Sequence, residues 1–307
     1  IVKREVTEIV SKGTLTNTDS LDENDYNFIA SITDYNYIYA LSYLDLLSGK
    51  VFATFVSKSS DKLISEIVSL GIKEVVVTSD FDNSITKVLK NNYNIYVSIY
   101  DKDYSNINRS KVSNLADAKL EDNTLKLISY ITFNQKKEIN HLMKPVIVNS
   151  KDYLSFNREC LSNLVLVESI CNKDRLYSLL WFLDKTKTSM GSRMLKEFIL
   201  KPVVSESEIN KRHDLIDLFK KEFMSISELR DFLYQIYDLE RLVGKVSINT
   251  LNGRDLLQLK SSLGVLPDIN LILENIGLEK VETFSELYDL LDKSIDLDAP
   301  LTIKEGG

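Results

Sequence analysis

The spacing of apolar positions changes once along the chain, from a period near two to a period of about 3.6 residues. In the first part, Phe28 to Thr33, Tyr37 to Leu47 and Val51 to Val56 are runs of aromatic and β-branched residues. Asp34-Tyr35-Asn36 and Ser48-Gly49-Lys50 separate them at hairpin length, so the runs predict an antiparallel meander. Val2, Glu5, Val6, Ile9 and Val10 predict a strand leading into it, with Ser11-Lys12-Gly13 as a turn. After the meander, Leu63, Ile64, Ile67 and Val68 fall at helical spacing and Leu70-Gly71 offers a stop. Glu74 to Thr78 then reads as a short buried strand, Ser84 to Lys90 as a helix and Ile95 to Tyr100 as a strand.

Three antiparallel strands followed by α-β-α-β is the order of a ribonuclease-H-like α/β domain. Residues 101–120, rich in Asp, Lys, Asn and Ser, read as a linker, and everything beyond it reads as helix. Thr124 to His141 carries Leu125, Ile128, Tyr130, Ile131 and Phe133. Asp174 to Leu183 has Leu176, Leu179, Leu180 and Leu183 as one apolar stripe. Met190 to Ile199 forms the next helix, ended by Lys201-Pro202, and Ser205-Glu-Ser-Glu208 reads as a capping box. Further helices are predicted over Ile226 to Val243, Arg254 to Leu263 and Phe284 to Leu291. The fold class is therefore α/β plus all-α, with an α/β domain over 1–112 and a helical bundle over 113–307.

Length agrees with two domains, since 307 residues are about twice the usual size of one. Lys+Arg 38 against Asp+Glu 45 leaves a net charge of −7. A binder of any nucleic acid sequence draws its affinity from neutralised phosphates and carries a basic face, which this balance does not advertise. No run of 18 apolar residues exists and the N-terminus lacks the order of a signal peptide, so no membrane role is expected. Cys160 and Cys171 have neither disulfide-framework nor zinc spacing and are expected as reduced core thiols of a cytoplasmic protein. Both ends read as cut from a longer chain: there is no initiator Met, and Leu301 to Gly307 stops on two glycines just after an extended stretch.

Candidate chemistry is sparse. The chain has no G-x-x-x-x-G-K-[ST], G-x-G-x-x-G, G-x-S-x-G or H-E-x-x-H. His141 and His213 lie in helical segments about 70 residues apart with no neighbouring Cys or His, which predicts no metal or acid–base pair. A ribonuclease-H-like fold can hold two metal ions on carboxylates. Asp45 in a strand, Glu66 on the first helix and Asp80 after the fourth strand stand in a suitable order. That alternative reading is a metal-dependent nuclease; the plainer one makes Asp45 a turn acceptor. The densest polar segment is Asp184-Lys-Thr-Lys-Thr-Ser-Met-Gly-Ser-Arg193. Here Asp184 closes one helix, Thr188 or Ser189 caps the next, and Gly191 permits close backbone approach. Lys185, Lys187 and Arg193 could hold a phosphate at that helix start, or, with Thr186, the segment is an interhelical corner that satisfies its own backbone.

That segment, with its flanks from Leu179 to Leu195, resembles the signature of the helical core of the MutS family of DNA mismatch recognition proteins, with Ser189 where Pro is usual. Similar matches follow in order. They are Arg4-Glu5-Val6 with Gly13-Thr14, Tyr43 to Gly49, Asn134-Gln-Lys136, Asn163 to Leu166, Asp238 to Val246, Arg254-Asp-Leu256 and Ile303 to Gly307. The departures at Lys12, Asn157, Cys160 and Val165 touch local packing. The resemblance implies a connector domain over 1–112 and the first part of a core or lever domain over 113–307. It further implies a whole protein that clamps mismatched DNA as a homodimer, uses ATP with Mg2+, and recruits MutL through the connector. The piece itself is then expected to be a non-catalytic, monomeric relay without its own cofactor.

Overall fold

The computed structural model describes residues 6, 8–15, 22–105, 107–137, 139–149, 151–154, 156, 158–169 and 174–299. The meander is β1 (Phe28–Tyr35), β2 (Ile38–Asp45) and β3 (Val51–Ser57). It is followed by α1 (Ser60–Ser69), β4 (Glu74–Val77), α2 (Asn83–Tyr93) and β5 (Tyr96–Ile99), in the order expected of a ribonuclease-H-like domain. The sheet runs β5-β4-β1-β2-β3-β6, with β1, β2 and β3 antiparallel and β4 and β5 parallel to β1. The sixth strand, β6 (Val146–Ile147), pairs parallel to β3 and was not foreseen, because two exposed residues carry no periodicity. The predicted leading strand has no counterpart at Val6 or Glu8 to Val10, and its Val2 and Glu5 lie outside the described residues. The turn at residue 12 is a short 3-10 helix, Lys12–Thr14.

Both faces of the sheet are covered. On one, Phe28, Ala30 and Ile32 of β1 pack with Leu41 and Tyr43 against Leu63 and Ile67 of α1 and Ile85 and Leu89 of α2. On the other, Ile29, Leu44 and Val76 meet Leu127 and Ile131 of the next helix, α3 (Ala118–Gln135). A central strand buried on both sides loses the polar-out alternation of a one-sided sheet, which is why β1 reads as a continuous apolar run.

α3, which lies past the expected boundary at 112/113, packs on the sheet. Val112 and Leu115, in the stretch expected to be a linker, are buried with Leu120, Leu125 and Ile128 of α3 against Ala40 and Ala53 of the sheet. Asn123 of α3 donates to the carbonyls of Ser31 (2.9 Å) and Ala40 (3.2 Å) and accepts from the hydroxyls of Ser31 and Thr33 (3.0 and 2.8 Å). Buried polar groups need such partners, and these lie on β1 and β2, so α3 belongs to the α/β unit.

Beyond it come α4 (Arg158–Asn163), α5 (Leu179–Leu183), α6 (Ser189–Leu200), α7 (Glu206–Lys221), α8 (Phe223–Leu233), α9 (Leu239–Ser247), α10 (Gly253–Asn275) and α11 (Ser285–Ser294). Four expectations change here. The stripe over Asp174 to Leu183 shortens to α5, because Tyr177 takes a left-handed φ of 65° and Ser178 starts the helix by accepting from Trp181 N–H. Of its four leucines only Leu180 is buried, while Leu176, Leu179 and Leu183 face outward. The helix expected over Ile226 to Val243 breaks at residues 234–238, where Asp238 caps α9. At Ser205 only half of the capping box forms: its hydroxyl accepts from Glu208 N–H at 3.5 Å, and the Glu208 carboxylate pairs with Lys211 instead. Cys160 is exposed rather than in the core, and Cys171 lies outside the described residues. By length and composition α10 could cross a membrane, yet it is tied into the unit by Asp255–Lys245 and Lys260–Asp292 ion pairs and by Asn270 bonding both ways to Val281.

One buried charge in the α/β unit predicts a pH effect. Lys126 of α3 is 2% exposed and donates to the Ile32 carbonyl (2.8 Å) and the Thr33 hydroxyl (2.9 Å). Burial pulls its pKa down from 10.5 to about 8, against the opposing charges of Asp122, Asp80 and Asp101. Between those pH values the unfolded chain keeps a proton that the folded chain has released, so stability rises with pH, by at most about 3 kcal/mol. Urea unfolding at pH 7.5 and 9.5, each chosen as a roughly placed sampling point inside or below that window, should show this gain in the parent. Lys126→Met should be flat across the same interval, and a variant that gains as much as the parent would refute the assignment.

Candidate interdomain interface

Side chains close the turn between α5 and α6. Asp184 ends α5 and accepts from the Thr186 amide at 3.0 Å and from the Thr186 and Ser192 hydroxyls, and it pairs with Arg175. Burial opposes its charge, but the Ser192 and Thr186 bonds and then Arg175 hold its pKa down at about 2. Thr188 caps α6 by accepting from Gly191 N–H at 3.0 Å. A Cβ on Gly191 would lie 3.1 Å from the Thr188 hydroxyl oxygen and 3.3 Å from Thr186 Cβ, so the glycine is there for space. Lys185 contributes its carbonyl to Arg230 of α8 (3.0 Å), and the Lys187 ammonium lies 5.9 Å from the Tyr234 ring centre.

Arg193 does not join the lysines as a phosphate ligand. It is 1% exposed and turned inward, where it forks onto Asp238 (2.9 Å for the second arm) and donates to Glu240 (2.7 Å) and to the Glu23 carbonyl (2.8 Å). Burial disfavours its charge, and the bonds and charge of Asp238, then Glu240, more than offset this and keep it protonated. Two guanidinium arms against one carboxylate fix both distance and orientation.

These bonds join the two units. Glu23 belongs to the segment leading into β1, while Arg193 lies on α6 and Asp238 and Glu240 start α9. Arg241 of α9, also buried, donates to the carbonyls of Asp22 (2.8 Å) and Asp25 (2.6 Å) in the same segment. Lys50 of the β2–β3 hairpin pairs with Glu240 (2.9 Å) and donates to the Tyr26 hydroxyl (2.6 Å), and Tyr26 in turn lies 5.4 Å beneath Arg193. Lys196 pairs with Asp25, Lys137 donates to the Ile248 carbonyl (2.9 Å), and Lys201 donates to the Tyr43 hydroxyl (2.9 Å). At Gly244 of α9 the backbone of Leu47 comes so close that any side chain would collide with its carbonyl.

The nuclease alternative is not supported by where its residues stand. Asp45 is 2% exposed, and its carboxylate accepts from the amides of Asn27 (3.0 Å) and Ser48 (2.9 Å), as a turn acceptor does. Asp45 pairs with Phe28 at the start of β1, whereas Asp80 follows the far end of parallel β4. The length of β1 between them is roughly 20 Å, while two catalytic metal ions sit about 4 Å apart. Among the described residues no group of three or more His, Cys, Asp or Glu is placed to hold a metal. His141 is not helical: it lies in the segment after α3, half-buried, with Nε2 on the Leu46 carbonyl, and burial lowers its pKa. His213 is exposed on α7.

Comparison with known proteins decides which family builds such an interface. The family model for MutS domain II matches residues 27–143 and that for MutS domain III matches 159–307. The chain belongs to the MutS family. The first of these matches ends after α3, as the packing does, and the second begins within α4. The DNA mismatch repair protein MutS of Bacillus pumilus is 34% identical over 313 residues, covering all of this chain and 36% of its own length. Those of Staphylococcus haemolyticus and Acetivibrio thermocellus are 34% and 33% identical, with 35% and 38% of their lengths covered. The chain thus spans a little over a third of the length of these MutS relatives.

The long-range partners of this segment were not foreseen from the sequence. Asp238, Glu240, Arg241 and Gly244 stood in the matched segment Asp238 to Val246, yet only a contact map could pair them with residues 22–26 and the hairpin. The one visible signal was an arginine and a glycine on the apolar side of a short amphipathic helix. The sequence has no phosphate loop, and with the α6 start capped by Thr188 and Arg193 held by carboxylates, Arg193 is not available to a phosphate there.

Two substitutions test the interface. Arg193→Met leaves Asp238 and Glu240 without their shared cation and should cost about 3–5 kcal/mol of stability. Gly191→Leu should cost about 1–3 kcal/mol by overpacking the corner. Chemical unfolding of both beside the parent is the check; parent-like midpoints would contradict the assigned roles.

Proposed function

We propose that this chain is the connector-and-lever relay of a DNA mismatch repair protein, itself non-catalytic, carrying motion between the part that reads DNA and the part that uses ATP. The observation that carries this reading is the buried Arg193–Asp238–Glu240 cluster with Arg241, which bolts the α/β unit to α6 and α9 through side chains on one side and backbone carbonyls on the other. Directional bonds of this kind hold or break, so the two units move as bodies between discrete arrangements. The net charge of −7 fits a piece that leaves most of the DNA grip to other parts. The full protein would bind mismatched DNA as a homodimer in the cytoplasm, with ATP and Mg2+ held elsewhere, and would recruit MutL through a connector surface to which no residues are assigned. This piece alone would be a monomer.

The test uses the full-length protein. Asp238→Asn weakens the clamp on Arg193 and should leave affinity for a mismatched duplex within about twofold, while the response of ATP turnover to that duplex falls about tenfold, the size of a typical coupling free energy. An unchanged response would end the relay reading. Fluorescence anisotropy of the 307-residue chain with matched and mismatched duplexes is the companion measurement, and a preference for the mismatch would place DNA reading in residues here given to the relay.

A further inference from the structure

The seam between the units holds a cleft with an apolar end. The cleft has a volume of about 620 Å3 and runs past Lys12, Lys73 and Lys196 toward Phe28. Beyond Phe28, Leu70, Leu161 and Leu200, which line both spaces, it continues into a recess of about 100 Å3. The shared lining gives the recess a route to solvent.

Aromatic rings floor this recess. Phe28, Tyr43 and Phe52 form a packed trio, with Tyr43 stacked on Phe52 at 5.0 Å and Phe28 edge-on to Tyr43 at 5.2 Å. Among the described residues its one cation is Lys201, whose ammonium lies 5.3 Å from the Tyr43 ring centre and donates a single hydrogen bond, to the Tyr43 hydroxyl. An ammonium has three donors, so two have no protein acceptor among the described residues. Glu66 and Glu197 also line the space, and each acts on Lys201 through its charge without a hydrogen bond. With two carboxylates and one ammonium around it, the recess repels an anionic ligand, and Lys201 repels a cation from the position beside its unshared donors.

We propose that this recess is a binding site for a small neutral molecule made of one aromatic ring and one hydrogen-bond acceptor, the ring seated on Phe28, Tyr43 and Phe52 and the acceptor on Lys201 Nζ. Small-ligand sites have this composition, apolar walls with a few convergent polar groups, and favour domain seams. The proposal does not rest on the relay reading, because it needs only the recess and its lysine.

Ligand-observed fluorine NMR on the full-length protein tests it, with para-fluorobenzyl alcohol and para-fluorotoluene as probes. Saturable binding of the alcohol is expected, about tenfold tighter than that of the toluene, as one hydrogen bond to a charged group provides. Lys201→Met should erase that preference, and Leu161→Trp and Leu200→Trp, which fill the recess from α4 and α6, should abolish binding of both probes. Absence of saturable binding, equal affinity for the two probes in the parent, or binding that survives both tryptophans would overturn the proposal. If either tryptophan variant fails to fold, as its thermal melt would reveal, the Lys201→Met comparison decides alone.

Discussion

The arrangement of the whole chain depends on burying the Arg193 guanidinium. An arginine with 1% exposure has given up its water, a loss of several kcal/mol that only close and well-aligned anions return. Asp238 and Glu240 do so from the first turn of α9, and the Glu23 carbonyl takes a further N–H. Because a guanidinium is planar, its acceptors are fixed in direction as well as distance. Once α6 and α9 have met those demands, the segment 22–26 has one place to run, and β1 begins where it ends. Arg241 repeats the device one turn along, gripping the Asp22 and Asp25 carbonyls. Hydrophobic contact alone would let these pieces slide; the bonds set the register.

Within the α/β unit the corresponding constraint is the closing helix. A sheet whose central strand is apolar on both sides needs cover on both, and α3 supplies it. Its buried face is half polar, with Asn123, Thr124, Lys126 and Ser129 among Leu127, Ile128 and Ile131. Each polar group finds an acceptor or donor on the strands or on β5's following residue: Asn123 on Ser31 and Ala40, Thr124 on Ser42, Lys126 on Ile32, Ser129 on Tyr100. Such pairing specifies one angular setting of the helix, since a rotation of one residue would strand several groups at once. Glu74 does the same from β4: fully buried, it accepts from Gly13 N–H (2.8 Å), the Ser98 hydroxyl (2.7 Å) and the Tyr130 hydroxyl (2.6 Å). Through it the segment before β1 is joined to the sheet and to α3 together.

What could be read from the chain follows the range of the interactions involved. β1 to β5 and α1 and α2 declare themselves by period and by Gly and Asn-rich turns, and the corner at Asp184 to Gly191 closes within ten residues, so both were legible. The ownership of α3 was not, because a helix that buries polar residues on its packed face has weak amphipathicity and looks solvent-facing. The break between α8 and α9 was hidden for a related reason: Asp238 caps a helix and grips an arginine 45 residues away in the chain, and only the first role has a local signature. The inward turn of Arg193 was not legible, because composition treats arginine as exposed and its partners lie 45, 47 and 170 residues distant. The Leu176 to Leu183 stripe failed through one backbone angle, at Tyr177, that periodicity does not see.

The helical unit, by contrast, is thin. Neither α7 nor α8 buries a residue fully, and Phe223, Met224 and Tyr234 are 71%, 80% and 76% exposed. Its small core of Ile236, Val265 and Ile269 gathers where α8, α9 and α10 meet, next to the ionic seam. Leu263 and Ile272 of α10 and Leu291 of α11 are buried as well, so buried contact, and with it local stability, lies along α9 to α11 rather than on α7 and α8. The Arg193 cluster, with the Lys137, Lys201 and Gly244 contacts, is where that unit meets the α/β unit. Tyr26, beneath Arg193, and the Lys196–Asp25 pair line the open cleft, so this edge of the seam is polar and water-facing rather than a closed apolar face. A seam held by directional bonds has one register, because any other pairing leaves buried charges without partners.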